Sequence, residues 1–349
     1  MRAPLLMGLF RAALALLLVG APAYAAAPPT PLFTSNDPIR LAITGPVMSV
    51  VRDPPESDRV VEASLSVQGA APETHRIALS ARGITRRRKD VCSFPPLRVE
   101  FTERPAATSL FRGQRRLKLV THCRPQASFQ QYILLEHAAY RLYNQLTPMS
   151  FRVRLVTIDY IDLQGRPITS RLGFFIEDVD DMARRNGLRR LETPVSLAQL
   201  RPVDAARFAV FQALIGNLDW SMRSGPRGSE CCHNSRLIGA EGASGDFIPV
   251  PFDFDHAGMV DAPYATPPEA IPVASVRVRR YRGYCRHNAE AQTFVADLQT
   301  RRASLLAVLD EAPQLDEETR RKAATYLDGF FGQIDSRDEV AKLLQTCVG

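Results

Sequence analysis

The sequence lacks several features that would assign it to a class at once. Beyond residue 25 no apolar run is long enough to span a bilayer. Its basic residues are not interleaved with aromatic residues in a repeat, and its Cys and His residues lack zinc-finger spacing. These absences argue against a membrane-spanning protein and against a nucleic-acid-binding protein.

The N-terminus has the pattern of a signal peptide. Arg2 and Arg11 supply positive charge, Ala12–Gly20 is a short apolar core, and Ala23–Ala25 is an A-x-A cleavage motif. We therefore predict that residues 1–25 are removed and that the protein is exported to the periplasm or beyond the cell. A lipoprotein would need a Cys directly after the apolar core, and none is present; an uncleaved anchor is the open alternative.

Cleavage would leave about 324 of the 349 residues and lower the formal charge from +7 to +5. That length suits one large or two modest domains. The excess basic residues are concentrated in Arg82–Lys89 and Arg277–Arg286. The default interpretation of each run is a basic face exposed to solvent. The alternative is a surface that binds acidic or phosphorylated ligands.

The six cysteines predict disulfides, because an even number in an exported protein is typical of a disulfide framework. Cys92 and Cys123 are plausible partners, since both flank one β-rich region. Cys231 and Cys232 are adjacent, and we expect each to pair elsewhere. The alternative is zinc held by Cys231, Cys232, His233 and either Cys285 or His287, which is disfavoured because adjacent ligands fit poorly around one tetrahedral ion.

The order of predicted elements divides the chain. Residues 26–37 form an extended leader, 38–180 a β-rich part with one helix from Ser128, and 181–349 a mainly helical part. Alternating apolar residues predict the strands, and Phe151–Glu177 reads as a hairpin. Apolar spacing of three and four residues predicts the helices, of which Ala289–Glu311 is the longest.

Two charged residues of the β-rich part carry possible chemistry. Lys118 lies between Leu117 and Leu119 on a predicted strand and therefore points opposite to both. Glu136 lies at the edge of the apolar face of the next helix. The default interpretation is that both are surface residues. The alternative is that Lys118 binds phosphate and that Glu136 is its carboxylate partner.

The stretch Phe211–Gly258 places polar residues where apolar elements end. Asp219 and Asn234 flank a polar loop, and Asp253 and Asp255 follow an apolar run. Carboxylates and an amide in these positions suit Mg²⁺ and phosphate. The stretch therefore predicts a phosphoryl-transfer site.

This order of residues resembles the atypical protein-kinase-like fold over Ile77–Asp261. The most similar group is the spore-coat CotH-type kinase family, with the HipA-type and phosphatidylinositol-kinase-type families more distant. The segments that carry the resemblance are ARG at Ala81–Gly83, GNLDW at Gly216–Trp220, HNSRLI at His233–Ile238 and PVPFDFDHAG at Pro249–Gly258.

The resemblance implies an α+β, bilobal kinase-like fold, with a β-rich N-terminal lobe carrying one helix and a mainly helical C-terminal lobe. It implies ATP and Mg²⁺ or Mn²⁺ as cofactors, adenine near Phe175–Asp178, and a protein or small-molecule hydroxyl acceptor. Lys118 would contact the phosphates and pair with Glu136, and Asp219 would orient or deprotonate the acceptor. The metal ligands would be Asn234 and Asp253, with Asp255 as the second candidate.

The sequence also departs from that family. It has no GxGxxG loop, and Asp219 and Asn234 are fifteen residues apart, whereas kinase-like loops hold them about five apart. Asn217 is the alternative to Asn234. Two other functions stay open: an inactive envelope-binding member of the fold, and a metal-dependent hydrolase that uses the three aspartates with His233 and His256. Six histidines are few for a two-metal hydrolase.

Overall fold

The computed structural model describes residues 27–69, 71–225, 231–312 and 314–349. The predicted signal peptide lies outside these residues. Among them, no helix is both long and apolar enough to cross a membrane.

Seven strands form a closed barrel in the N-terminal half of the chain. Their order around the barrel is β1-β2-β3-β4-β5-β7-β6, and β1 closes it by pairing in parallel with β6, whereas every other pair is antiparallel. The strands are β1 Ile39–Thr44, β2 Val60–Val67, β3 Glu73–Ala81, β4 Leu97–Phe101, β5 Arg116–Val120, β6 Val153–Ile161 and β7 Pro167–Ile176.

The closed barrel contradicts the predicted bilobal kinase-like fold with its sheet-based N-terminal lobe. Residue alternation correctly indicated strands and the hairpin of β6 and β7. Residue alternation did not show that the sheet closes into a barrel, because closure depends on the pairing of Ile39–Thr44 with residues 156–161, which are far along the chain. Parallel pairing over such a separation leaves no turn signal in the sequence.

The barrel is filled by the inward side chains of its strands, as period-two alternation requires. Fully buried examples are Leu41, Ile43, Leu65, Ile77, Leu79, Val99, Leu119, Val156, Ile158 and Phe175. The segment predicted as an extended leader adds to this core, since a helical turn at Pro31–Phe33 buries Leu32 and Phe33 in it.

The helices and a second sheet form the rest of the described structure. The second sheet consists of Arg189–Leu191 (β8), Ser235–Gly239 (β9) and Ile248–Pro251 (β10), with β9 in the middle. Helix α2 (Ala127–Asn144), which separates β5 from β6, packs between the barrel and the C-terminal helices and is buried along most of its length. The other α-helices are α1 Val47–Arg52, α3 Val179–Arg185, α4 Pro202–Ile215, α5 Asn288–Thr300, α6 Arg302–Ala307, α7 Glu317–Gly332 and α8 Arg337–Leu344. The helix predicted over Ala289–Glu311 is thus interrupted after Thr300.

All six cysteines are in disulfides. Cys92–Cys123 is confirmed, and Cys285 pairs with Cys347. The expectation that Cys231 and Cys232 pair elsewhere was wrong, because they are bonded to each other. No free thiol remains for the zinc alternative, and the disulfides agree with the predicted export.

Helix α4 ends at Gly216, which directs the chain into the segment of Asp219. Gly216 has φ +67°, and a Cβ placed on it would lie 1.9 Å from Tyr326 Oη on α7. A left-handed residue after the last helical turn is a common helix end. Glycine is required here both for the backbone conformation and for the close approach of Tyr326.

Gly216→Ala is expected to lower the free energy of unfolding by about 2–4 kcal/mol, because it adds backbone strain and a steric clash. Urea denaturation measures this loss. Gly332→Ala is the matched control, since no heavy atom lies within 4 Å of a Cβ at that position. Equal effects of the two substitutions would contradict the role given to Gly216.

Candidate functional site

A polar cavity of about 250 Å³ lies between the loop after β3 and the second sheet. It brings together four residues predicted from separate parts of the sequence: Asp219, Asn234, Asp253 and Asp255. The other charged or ionisable side chains that line it are Arg82, Arg86, His233, Arg236 and His256.

Asn234 returns to the side of Asp219 despite the fifteen-residue separation. Its Nδ2 donates to the Asp219 carbonyl oxygen at 2.8 Å and to Asp219 Oδ2 at 3.0 Å. Asn234 reaches this position with φ +47°, a conformation that Asn tolerates better than most residues. The alternative, Asn217, is buried, and its Oδ1 accepts from the Asp219 N–H at 3.0 Å. Asn217 therefore shapes the turn, and Asn234 lies in the cavity.

His233 contacts the other oxygen of the same carboxylate. Its Nε2 lies 2.6 Å from Asp219 Oδ1. This hydrogen bond is the main reason that the pKa of His233 is raised, although burial acts in the opposite direction. Both oxygens of Asp219 are thereby held, which fixes the orientation of the carboxylate.

Arg86 is the residue at the centre of the site that the sequence did not single out. It lies on the helical turn Thr85–Arg87 and is only 5% exposed. Its guanidinium contacts three carboxylates: Glu136 Oε2 at 2.9 Å, Asp253 Oδ1 at 3.2 Å and Asp255 Oδ2 at 3.2 Å. The basic run Arg82–Lys89 is therefore not simply a solvated face. The run has no periodicity that would have distinguished Arg86 from its neighbours.

The expected pair of Lys118 with Glu136 does not form. Glu136 accepts from both terminal nitrogens of Arg86, at 2.9 and 3.3 Å. Among the described residues no ion pair joins Glu136 to Lys118. An arginine satisfies both oxygens of a buried carboxylate at once through two parallel N–H groups, which the single ammonium of a lysine does not.

Burial and Arg86 act in opposite directions on the three carboxylates. Burial raises the pKa of Glu136 to about 7 in spite of Arg86. It also raises the pKa of Asp255. For Asp253 burial is outweighed by Arg86, Arg82 and other nearby cations, so its pKa is lowered. Asp253 is thus the carboxylate of this group most strongly held in its charged form.

A side chain of helix α2 holds the backbone of Asp253 in place. The Asp253 N–H donates to Tyr140 Oη at 2.8 Å, and Tyr140 follows Glu136 by one helical turn. Asp253 has φ +62°, so the chain turns sharply directly after β10. One face of α2 therefore holds both Arg86 and the Asp253 segment.

Lys118 lies next to this cavity. As predicted from its position between two apolar residues, it faces away from the barrel interior. It lines an adjoining cavity of about 130 Å³, and Arg236 borders both cavities. Burial, with added repulsion from Arg82 and Arg236, lowers the pKa of Lys118 to about 7.

The predicted adenine region also borders the smaller cavity. Ile176 and Asp178 line it, whereas Phe175 points into the barrel core. Asp178 also caps α3 and pairs with Arg116 at 3.2 Å. The smaller cavity therefore joins the position of Lys118 to the end of β7.

Oxygen donors suited to Mg²⁺ are present, but they are few. Within the described parts of the chain, no three or more His, Cys, Asp and Glu residues are grouped to hold a metal. Asp253 and Asp255 each use one carboxylate oxygen on Arg86, which leaves the second oxygen of each, and Asn234 adds an amide oxygen. Protein Mg²⁺ sites commonly use one or two carboxylates completed by substrate phosphates. The donor set fits a metal that arrives with a phosphate ligand.

Comparisons with other proteins give no assignment. No protein-family model matches this chain, and no curated protein matches it either. The chemistry of the site must therefore be read from its own geometry.

Arg86→Met is expected to lower the free energy of unfolding by about 3–5 kcal/mol at pH 8, because it leaves the buried carboxylates of Glu136 and Asp255, and the partly exposed Asp253, without their cation. The loss should be smaller at pH 5, since the raised pKa values of Glu136 and Asp255 let these groups become neutral by binding protons. Urea denaturation at both pH values checks this. Arg88→Met is the control, because Arg88 pairs with Asp90 at the surface, and it should cause little change at either pH. A loss for Arg86→Met that is independent of pH would contradict the assignment.

Asp219→Asn is expected to lower the pKa of His233 towards its ordinary value of 6.5, since the amide keeps the shape of the carboxylate without its charge. NMR titration of the imidazole measures the shift, and Asp261→Asn serves as the control, because Asp261 pairs with Arg277 and does not line the cavity. In the wild type, the stabilisation from this pair is complete below pH 6.5 and is lost as the pH rises through the raised pKa. An unchanged His233 pKa in Asp219→Asn would show that the contact with Asp219 does not stabilise the protonated form of the imidazole.

Proposed function

We propose that this protein transfers a phosphoryl group from a nucleoside triphosphate, with Mg²⁺, to a hydroxyl acceptor. The proposal depends on one observation: an oriented carboxylate, two metal-suited aspartates and several cations converge on one cavity from distant segments. It does not depend on a kinase-like fold, because sites of the same chemistry occur on unrelated folds.

Asp219 is the residue that orients the acceptor. His233 and Asn234 hold one hydrogen bond on each of its oxygens, and each carboxylate oxygen has room for another. A hydroxyl donating to Asp219 is positioned for attack on the terminal phosphorus. In the transfer, the acceptor O–P bond forms, the bond to the bridging oxygen breaks, the nucleoside diphosphate leaves and the hydroxyl proton passes to Asp219.

The cations supply the electrostatic stabilisation of the phosphates. Arg82, Arg236 and Lys118 lie close enough to repel one another, and this repulsion contributes to the lowered pKa of Lys118. A phosphate chain placed along the two adjoining cavities would relieve that repulsion. Preorganised cations of this kind are a main source of catalysis in phosphoryl transfer.

Asp253, Asp255 and Asn234 are the residues that would hold the metal. When bound, Mg²⁺ neutralises charge on the phosphate oxygens. Asp253 is the preferred ligand, because surrounding cations keep its pKa low. The base and ribose would extend towards Ile176 and Asp178 in the smaller cavity.

A second candidate function is the binding of a phosphorylated ligand without catalysis. The specific observation in its favour is Arg86, which already neutralises the two aspartates. With Arg86 as their permanent counter-ion, the cavity would bind phosphate through its other cations and would not require a metal.

Labelled ATP distinguishes the two functions. The purified protein is incubated with [γ-³²P]ATP and Mg²⁺ or Mn²⁺, and nucleotide binding is followed by calorimetry. Asp219→Asn should lower transfer by about 10²–10⁴-fold with little loss of binding, because it removes the group that accepts the hydroxyl proton. Asp253→Asn should weaken metal-dependent nucleotide binding as well as transfer.

Asp261→Asn is the control, since Asp261 pairs with Arg277 away from the cavity, and both activities should persist. Binding that needs no divalent cation and survives Asp253→Asn would favour the non-catalytic function. Absence of nucleotide binding in the wild type would reject phosphoryl transfer from a nucleoside triphosphate, and it would restrict the second function to phosphorylated ligands other than nucleotides.

A further inference from the structure

The basic run Arg277–Arg286 folds back against the segment of Asp219. The sequence alone did not decide whether this run is a solvated face or a surface for acidic or phosphorylated ligands. Arg282 Nη1 donates to the carbonyl oxygens of Leu218 at 2.5 Å and Trp220 at 3.3 Å, on either side of Asp219. Its guanidinium also lies 4.7 Å from the centre of the Trp220 ring. This arginine therefore supports the backbone of the proposed catalytic residue.

Further arginines extend this basic surface. Arg280 is exposed and close enough to Arg282 to lower its pKa, in addition to the larger effect of burial. Arg223 lies 5.5 Å from the centre of the Tyr284 ring. Burial raises the pKa of the Tyr284 hydroxyl, and the positive charges of Arg223 and Arg282 both act against this increase. We call Arg223, Arg280 and Arg282 the acceptor-side rim.

The rim arginines differ from most exposed arginines in their ion pairs within the described residues. Most exposed arginines elsewhere, such as Arg88 and Arg302, pair with a nearby carboxylate. Within the described part of the chain, none of the three rim arginines makes an ion pair with an acidic side chain. The charge of Asp219 also acts on Arg282. Three arginines without an ion-paired carboxylate in the described residues form a surface complementary to an anionic ligand.

Two of the rim arginines lie over aromatic rings. The guanidinium carbon of Arg282 is 4.7 Å from the centre of the Trp220 ring, and that of Arg223 is 5.5 Å from the centre of the Tyr284 ring. A stacked guanidinium keeps edge N–H groups for planar oxyanions, and arginine binds carboxylates and phosphates in this way. Rim contacts of this kind favour acidic partners over neutral ones.

We propose that the hydroxyl acceptor belongs to an acidic polypeptide segment, whose Asp or Glu side chains pair with the acceptor-side rim while a neighbouring Ser, Thr or Tyr reaches Asp219. The inference rests on the proposed function. An extended chain is favoured over a membrane surface, because Asp219 lies in a concave cavity and its side chain is only 25% exposed. A peptide enters such a cleft, whereas a flat bilayer surface does not reach its floor.

Fluorescence anisotropy with labelled synthetic peptides tests the rim without requiring catalysis. One peptide carries a single Ser flanked by Glu and Asp, and its matched neutral form carries Gln and Asn. The acidic peptide should bind more tightly, and the preference should weaken with added salt. The double variant Arg223→Ala with Arg280→Ala should weaken binding of the acidic peptide by about three- to tenfold. Arg282 is left intact because it supports the backbone.

Arg104→Ala is the matched control, since Arg104 is an exposed arginine in the loop after barrel strand β4 and makes no ion pair in the described residues. Equal binding of the two peptides, or equal weakening by Arg104→Ala and the double variant, would overturn the proposal. So would binding to phosphatidylglycerol vesicles in the absence of peptide binding. If acidic-peptide binding depends on the rim but no label is transferred from ATP, the proposed catalysis fails while the docking surface stands.

Discussion

The contact of Arg86 with three carboxylates, of which Glu136 and Asp255 are buried, is the interaction on which the site depends. It joins the loop after β3, helix α2 through Glu136, and the segment after β10 through Asp253 and Asp255. Buried charges of one sign cannot be gathered without a counter-ion. Arg86 therefore allows aspartates from the C-terminal part to lie against the barrel, and it sets the electrostatics that any phosphate ligand or metal would meet.

The order of chemical residues along the chain predicted much of the site and little of the fold. Asp219, Asn234, Asp253 and Asp255 do share one cavity. Asp219 follows the end of α4, Asn234 directly precedes β9, and the two other aspartates follow β10, so the ends of these elements meet there. The partner of Glu136 was not predictable. Arg86 is one of several arginines in a run without periodicity, and only the fold shows that Arg87 and Lys89 instead bind the carbonyl oxygens of Ser57 and Val51.

The architecture failed to follow from the sequence for a different reason. Strand alternation reports which side of a strand is buried, but it does not report which strand lies beside it. A β-rich segment followed by helices is therefore compatible with an open lobe and with a closed barrel. The adjacent pair Cys231–Cys232 was missed in a similar way, because spacing arguments assume that neighbouring cysteines find distant partners. Local sequence patterns therefore predict individual helices and strands well. They do not predict the closure of the barrel, which depends on contacts between residues far apart in the sequence.

The parallel pairing of β1 with β6 has a consequence for how the chain folds. β1 ends at Thr44, and its closing partner begins at Val153. During synthesis the first strands are therefore complete well before the strand that covers their open edge exists. Unpaired edges promote association with other chains, and contacts distant in sequence form slowly. The newly made N-terminal half thus has an aggregation-prone interval that lasts until β6 is available, and molecular chaperones would act during that interval.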